Sequence, residues 1–312
     1  MKRWLGQKGA AHGPRVAIVL RGDALRYAAA REQAGRTALQ FAGSQPLSSS
    51  DPSVLGRAAA AAGLARARCT TLLSPGDYQL LQVDAPTVEA AELREAARWK
   101  VKDMVDFPVD QATVDVLEIP AVGSSTRGRQ LLVAIAPNGS LQRTIQLFQD
   151  AHLHLQVVDL PELAQRNVCA RLEQENRAVA LLNFDDAQGL MTFTFAGELL
   201  GMRRIEITLN QLESADAARR DQLFDRIALE VQRSVDNFER LSGGVTLAAL
   251  RMIEVPSVPG LLDYLQGYLS IPVVAFDLGD LLDLSAVPEL ADRRQQCAYL
   301  DVIGAALREE AA

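Results

Sequence analysis

The chain contains 312 residues, 48% of them hydrophobic and 23% charged, and its net charge of -7 disfavours broad electrostatic binding to nucleic acid. Cys69, Cys169 and Cys297 are too few and too widely spaced for a disulfide framework or a zinc motif, and they fit a reducing compartment. No apolar run approaches the roughly 18 residues of a membrane span. Residues 1–14 are basic and lack the apolar stretch of a signal peptide, so we expect a flexible tail on a cytoplasmic protein.

The first predicted elements are a β-hairpin, a third strand, a helix and a fourth strand. An apolar strand at Arg15–Leu20 is joined to a second strand, Leu25–Ala30, by the turn at residues 21–23. The other elements of this unit are a strand at Leu39–Ala42, an alanine-rich helix at Leu55–Ala67 and a strand at Thr70–Leu73.

A second unit follows with strands and helices of its own. Thr87 is a candidate N-cap for an amphipathic helix whose apolar residues recur at spacings of three and four and which ends before Pro108. The pattern also predicts strands at Tyr78–Val83, Val114–Ile119, Leu131–Ala136 and Leu155–Val158, and a helix near Leu141–Phe148. We therefore predict a compact inserted domain over residues 71–158.

The last segment repeats the opening order. Predicted strands at Ala178–Phe184, Leu190–Ala196 and Arg203–Ile207 precede a long helix from Asp216 to Leu241, and a strand, a helix, a strand and a final helix follow. Duplicated β-β-β-α-β halves are the hallmark of the actin, Hsp70 and sugar-kinase architecture. The pattern thus predicts an α/β chain, with a first half at residues 15–70 and 159–177 and a second half at residues 178–312.

Several stretches resemble, in order, segments of the PilM family of type IV pilus proteins. The nearest branch is MshI, of the mannose-sensitive haemagglutinin (MSHA) pilus. The stretches are Glu92–Lys100 with Val105–Pro108, Leu131–Ala134 with Phe148–Asp159, Val231–Asp236, and Val258–Val273 with Asp301–Arg308.

This resemblance implies an actin-like, FtsA-like ATPase fold of duplicated RNase-H-like halves, with a small domain inserted in the first half and a reduced accessory subdomain in the second. It implies a cytoplasmic scaffold, peripheral to the inner membrane, that works with other pilus assembly proteins and binds the N-terminal tail of a PilN-like or MshJ-like inner-membrane protein. Two alternatives stay open. One is an active ATPase whose nucleotide state regulates that binding, and the other is a type II secretion protein of the GspL kind, a family expected to continue into a transmembrane helix.

Actin-like proteins hold ATP between their halves, where backbone N–H groups of each hairpin cradle the phosphates and an Asp orients hydrated Mg²⁺. In the first hairpin Gly22 is retained, but Leu20 stands at the Asp position and Asp23 replaces a hydroxyl residue. A leucine cannot orient hydrated Mg²⁺. A carboxylate about 4 Å from a phosphate charge repels it by roughly 4 kcal/mol at intermediate dielectric.

The second hairpin departs further from the nucleotide-binding pattern. Asn183, Phe184 and Asp185 stand where the pattern is Asp-x-Gly, and Asp186 adds a second acid. The segment expected to approach the adenosine, Ile253–Val258, contains no glycine. We therefore expect no ATP or Mg²⁺, no catalytic residue and no metal site, and a chain that is not an enzyme.

Aromatic residues make up only 5% of the chain, yet Trp99 and Phe107 lie on or just after the predicted helix of the inserted domain. One interpretation is packing in the core of that domain. The other is a hydrophobic groove formed by Trp99, Val101, Val105 and Phe107 that receives the partner's tail.

Overall fold

The computed structural model describes residues 14–33, 35–120, 129–174 and 176–309. Almost all of the predicted basic tail lies outside these ranges. In the described part of the chain the strands are β1 (Arg15–Arg21), β2 (Ala24–Gln33), β3 (Arg36–Pro46), β4 (Arg68–Leu72), β5 (Gln79–Asp84), β6 (Ala112–Ile119), β7 (Gln130–Pro137), β8 (His154–Asp159), β9 (Ala178–Phe184), β10 (Gly189–Phe195), β11 (Glu198–Ile205), β12 (Leu247–Met252) and β13 (Val273–Ala275). The helices are α1 (Pro52–Ala61), α2 (Leu93–Lys100), α3 (Asn138–Asp150), α4 (Pro161–Cys169), α5 (Leu209–Ser214), α6 (Ala217–Leu241), α7 (Leu261–Tyr268), α8 (Leu278–Leu281) and α9 (Arg293–Ala306).

The two halves contain five-stranded sheets with the same strand order. The first sheet runs β3-β2-β1-β4-β8 and the second runs β11-β10-β9-β12-β13. In each sheet three antiparallel strands lead through a helix, α1 or α6, to a strand that pairs in parallel with the first. The helix supplies the crossover that a parallel pair requires. The predicted duplication of the β-β-β-α-β order is therefore confirmed.

Helix α6 follows the sequence prediction closely. The Asp216 side chain accepts a hydrogen bond of 2.8 Å from the Arg219 N–H and so caps the first turn. The apolar stripe of α6 is buried against the second sheet, through residues such as Ile227, Val231 and Val235. None of the helices in the described ranges combines the length and apolar composition that a bilayer span needs.

A separate antiparallel sheet, in the order β5-β7-β6, forms the inserted unit, and α2 covers one of its faces. Helix α2 begins at Leu93 with Glu92 as its N-cap, so the predicted N-cap at Thr87 is wrong. Leu93 is the first buried residue after Val83, whereas Val88 is exposed. Packing therefore stabilises the helix only from Leu93 onward.

Strand β8 lies elsewhere than the sequence suggested. It pairs in parallel with β4 and forms an edge of the first sheet, although residues 71–158 were all predicted to belong to the inserted domain. Helix α3 accompanies it, because Phe148 is fully buried in a cluster with Val16 and Ile18. The three-stranded sheet therefore ends with β7. Apolar periodicity shows that a segment is a buried strand but does not show which sheet it joins.

Two buried helices, α4 and α9, connect the halves. Gly304 of α9 lies so close to α4 that a Cβ on this residue would come 2.0 Å from the Ala164 carbonyl oxygen. The pattern did not reveal α4 because polar residues interrupt its apolar run. Those residues are buried and bonded: the Asn167 side-chain amide, for example, donates to the Gly304 carbonyl oxygen at 2.8 Å.

Candidate functional site

The hairpin turns of the two sheets come together beside α9, at the place where an actin-like protein holds its nucleotide. In the first hairpin Leu20 pairs with Leu25, and Gly22 adopts a φ of 56°, which glycine tolerates at little cost. Leu20 is half-buried and packs on the apolar cluster of the first half. Asp23 is exposed, and its backbone carbonyl accepts a hydrogen bond from the Leu47 N–H.

The second hairpin is closed by one of its own acids. The Asp185 Oδ1 atom accepts hydrogen bonds of 2.8 Å from the backbone N–H groups of Ala187 and Gln188. Burial, and next the nearby Asp301 charge, raise the pKa of the Asp185 carboxyl. The Asn183 amide donates to the Cys297 carbonyl oxygen at 3.0 Å, and its buried Oδ1 atom has no protein partner.

The carboxylate of Asp186 joins the two halves. Its Oδ2 atom accepts a hydrogen bond from Arg26 of β2 at 2.7 Å, and its Oδ1 atom accepts one from Arg294 of α9 at 3.1 Å. The second amino nitrogen of Arg26 donates to the Ala298 carbonyl oxygen at 2.7 Å. Arg21 of β1 forms a further ion pair with Asp301 of α9, at 2.8 Å. Hydrogen bonds and ion pairs between side chains thus connect the two hairpins with α9.

Sequence reasoning missed Arg26, Arg294 and Asp301, and the strand register contained a signal for the first of them. Arg26 pairs with Val19, so it shares the sheet face of Val19 and Arg21, which is the face turned towards α9. An arginine on a buried face requires an anionic or carbonyl partner. The pattern around β2 therefore indicated that an acid lies opposite it.

The segment at residues 253–258 borders a cavity of about 20 Å³ lined largely by apolar side chains. Ligand pockets commonly measure about 300–1,000 Å³, so this space is far too small for a nucleoside. With a leucine at the Asp position, acids in the second turn and arginines already paired with carboxylates, the residues present do not fit a magnesium–nucleotide complex.

The candidate partner surface on the inserted unit is only partly as predicted. Trp99 is 55% exposed and Met104 is 49% exposed, on neighbouring turns. Val101 is fully buried in the core of the unit, which corrects its proposed role as a contact residue. Val105 and Phe107 are half-buried and pack on the same core, so each leaves part of its surface accessible.

The indole of Trp99 is held in place from two sides. Its Nε1 atom donates to the Glu95 carboxylate at 3.1 Å, and the Lys102 ammonium lies 5.7 Å from the ring centroid. Both contacts come from residues close to Trp99 in the chain, and more than half of the Trp99 surface remains exposed. An exposed aromatic side chain with a fixed orientation is a typical anchor for a bound peptide.

A buried polar cluster joins the inserted unit to both other parts of the chain. Glu162 of α4 has no exposed surface; it accepts a hydrogen bond from the Tyr78 hydroxyl at 2.5 Å and pairs with Arg204 of β11 at 2.6 Å. The Arg204 guanidinium also lies 4.9 Å from the Tyr78 ring centroid. Burial, and then the Glu162 charge, raise the pKa of the Tyr78 hydroxyl well above its usual value.

A cleft of about 790 Å³ lies between the inserted unit and the second half. Its walls combine apolar residues with arginines that are already paired within the chain: Arg203 with Glu230, and Arg129 with Glu118. Leu241, at the end of α6, is a partly exposed residue of its lining. The cleft is a second surface that is large enough to receive a peptide segment.

No family model and no curated protein matches this chain. Among solved structures, a chain of the PilM–PilN type IV pilus biogenesis complex is similar, with a TM-score of 0.71 and 18% sequence identity, covering 94% of this chain and 98% of that one. This chain therefore has an actin-like fold, shared with the PilM–PilN complex.

Two further solved structures are similar at lower scores. The cytoplasmic domain of EpsL, an inner-membrane component of the type II secretion system of Vibrio cholerae, has a TM-score of 0.48 and 12% identity, covering 76% of this chain and 81% of that one. A Bacteroides thetaiotaomicron protein with an actin-like ATPase fold has a TM-score of 0.48 and 10% identity, covering 89% and 95%. The fold assignment rests on the first comparison together with the duplicated sheet order.

Proposed function

We propose that the chain is a non-catalytic scaffold of a type IV pilus assembly complex that binds the cytoplasmic N-terminal tail of a PilN-like inner-membrane protein. The observation that carries this proposal is the similarity to a chain of the PilM–PilN complex over 94% of this chain. The ordered stretches that resemble the PilM family support it. On this proposal the protein is cytoplasmic and reaches the inner membrane through its partner. The finer assignment that we propose is MshI of the MSHA pilus, with an MshJ-like partner.

The proposal that the scaffold is not an enzyme is supported by the side chains between the hairpins. Leu20, Asn183 and Asp185 stand where the nucleotide-binding pattern has Asp, Asp and Gly, and Asp186 adds a second acid. The cavity beside residues 253–258 is far smaller than a nucleoside. Titration of the full chain with a fluorescent ATP analogue and Mg²⁺ is expected to give no saturable signal. Saturation in the micromolar range would instead favour the alternative of a nucleotide-regulated ATPase.

We place the docking surface for the tail around Trp99 and Met104, with the accessible parts of Val105 and Phe107 at its edge. These are large apolar side chains on one small unit, and Trp99 is fixed in orientation before any partner arrives. Little side-chain entropy is then lost on binding. A tail that presents apolar side chains at regular intervals suits such a surface.

The test is a peptide titration. A synthetic peptide with the sequence of the N-terminal tail of a PilN-like protein from the same organism is titrated into the full chain and into a Trp99→Ala variant. The substitution should weaken binding by roughly 10-fold or more, as expected for an aromatic anchor at the centre of an interface. Trp4 is the only other tryptophan, so a Trp4→Phe chain reports binding directly through Trp99 fluorescence.

Two control variants separate the candidate surfaces. Tyr268→Ala removes an aromatic residue that is 47% exposed on α7 and should leave the affinity unchanged. Leu241→Arg alters the cleft between the inserted unit and the second half. If Leu241→Arg abolishes binding while Trp99→Ala does not, the tail docks in the cleft and our placement is wrong. If the wild-type chain does not bind the tail at all, the proposed function itself fails.

A further inference from the structure

The observations between the hairpins support more than the loss of a nucleotide site. We propose that the cleft between the halves is held closed by a carboxylate that the chain itself supplies. Asp186 is this carboxylate, and it accepts hydrogen bonds from Arg26 of the first half and Arg294 of the second. We call the group Arg21, Arg26, Asp186, Arg294 and Asp301 the clasp.

The contacts of Asp186 bridge the molecule in the way a bound anion would. Each of its two oxygens accepts from a different guanidinium, at 2.7 Å from Arg26 and 3.1 Å from Arg294. Arg26 is itself fixed at its other end by the Ala298 carbonyl oxygen. Arg294 is fixed by Glu213, with both carboxylate oxygens 3.1 Å from its Nε. Charge-assisted hydrogen bonds of this kind are stronger and more directional than neutral ones.

A second ion pair of the clasp lies deeper. The side chains of Arg21 and Asp301 are only 12% and 13% exposed, compared with 14% and 31% for Arg26 and Asp186. Arg21 and Arg26 lie on the same face of the first sheet, so one strand pair delivers both guanidinium groups to the second half. Solvent ions screen partly buried pairs less than exposed ones.

A second set of hydrogen bonds joins the two halves without a ligand. The Leu39 N–H donates to the Asp283 carbonyl oxygen at 3.0 Å, and the Asp283 N–H donates to the Thr37 carbonyl oxygen at 2.9 Å. Arg36 adds a hydrogen bond of 2.7 Å to the Gly279 carbonyl oxygen. The edge strand β3 is thereby bonded to the loop that follows α8. The halves thus meet at the buried helices α4 and α9, at this loop and at the clasp.

The physical reason to regard Asp186 as a replacement for nucleotide is its charge and its position. In a nucleotide-binding relative of this fold the phosphates are the anions between the two hairpins, and both halves bind them. Here the anion is covalently part of the second turn. Closure then has no dependence on ligand concentration, whereas closure by a ligand follows mass action.

Hydrogen–deuterium exchange of the full chain tests this inference. In Asp186→Asn, backbone exchange at residues 16–28 and 293–302 should become roughly 10-fold faster, because partial loss of closure exposes these segments to local opening. Asp221→Asn removes an exposed carboxylate on α6 and is the matched control, with exchange expected to equal that of the wild type. In the wild type, adding Mg-ATP should leave exchange at the same segments unchanged.

A conservative variant keeps the test decisive if Asp186→Asn unfolds. Arg26→Lys retains the charge but loses the guanidinium group whose two nitrogens bind Asp186 and Ala298 at the same time. It should therefore accelerate exchange in the same segments, but by a smaller factor. The inference is overturned if both folded variants exchange like the wild type, or if Mg-ATP slows exchange at the wild-type hairpins. No partner protein is present in these measurements, so their outcome is separate from that of the peptide titration.

Discussion

The two sheets share one strand order, yet they are buried to different degrees. Strand β9 is buried along its whole length and β10 everywhere except its last residue, whereas their counterparts β1 and β2 both contain exposed and half-buried residues. In the same topological position the first half has α1, with 10 residues, and the second has α6, with 25. The second half therefore holds the larger core, and the first half depends more on contacts made across the cleft.

The hairpins show the same asymmetry in their charges. The first contributes the guanidinium groups of Arg21 and Arg26, and the second contributes the carboxyl groups of Asp185 and Asp186. The two halves thus share one topology, but the side chains that meet between the hairpins are guanidinium groups from the first hairpin and carboxyl groups from the second. Topology in this fold therefore depends on the buried strands, whereas the chemistry of the cleft depends on a few residues in and beside the turns.

The largest change in stability is expected at the contact between α4 and α9, which we expect to hold the two halves together. Gly304→Ala places a Cβ on the Ala164 carbonyl oxygen, so the helices must separate, and the free energy of unfolding should fall by about 3 kcal/mol or the chain should fail to fold. Urea unfolding followed by circular dichroism measures the change.

Gly267→Ala in α7 is the control for that substitution, since nothing lies within 4 Å of the added Cβ. It should raise the free energy of unfolding, by at most about 0.5–1 kcal/mol, because alanine has the higher helix propensity. Equal effects of the two substitutions would show that the crossing of α4 and α9 does not hold the halves together.

A smaller effect is expected at the polar cluster that joins the inserted unit to both halves. Glu162→Gln removes the charge that Arg204 pairs with and leaves that guanidinium partly buried without its anion, which should cost about 2–3 kcal/mol. Glu198→Gln removes the half-exposed partner of Arg166 and should cost less than about 0.5 kcal/mol. A loss at Glu162 no greater than that at Glu198 would mean that the cluster contributes little to joining the units.

The smallest effect concerns the charge on the second turn, and it depends on pH. Burial and Asp301 raise the folded-state pKa of Asp185, so its contribution to stability is fully present below the unfolded value of 3.8 and is lost as the pH rises through the folded value. Asp185→Asn keeps the oxygen that accepts from the turn and removes the charge. It should therefore raise the Tm at pH 7, and the gain should vanish below about pH 4.

Thermal melts of Asp185→Asn and of Asp221→Asn across that pH range check this prediction. The exposed Asp221 serves as the reference for a simple change of net charge. A lower Tm for Asp185→Asn at pH 7 would indicate that the carboxylate, despite its burial, stabilises the turn.

Much of the fold was predictable because it follows from local periodicity. The duplicated order of strands and the extent of α6, predicted as Asp216–Leu241 and observed as Ala217–Leu241, both agree with the structure. The departures have specific causes. Helix α4 was not predicted because buried polar residues interrupt its apolar pattern. Helix α2 begins where burial begins and has no side-chain cap.

The residues of the candidate site were chosen from residue type, and the contacts between them did not follow from the sequence. That Leu20, Asp185 and Asp186 are unsuited to a nucleotide stays a prediction. Val101 was misjudged as a contact residue, because a valine in an amphipathic helix reads the same whether it faces a partner or the core. For Trp99 the sequence left two roles open, packing in the core or contact with the partner's tail. Its exposed surface in the structure favours the second role.

Side-chain periodicity and turn chemistry act over a few residues. The sequence was therefore enough to show which segments are strands or helices and that their order occurs twice. The tertiary structure alone decided that β8 joins the first sheet and that Asp186 meets Arg26 from 160 positions away. Such pairings depend on how the halves come together around α4 and α9. No short-range pattern encodes the distance between residues so far apart in the chain.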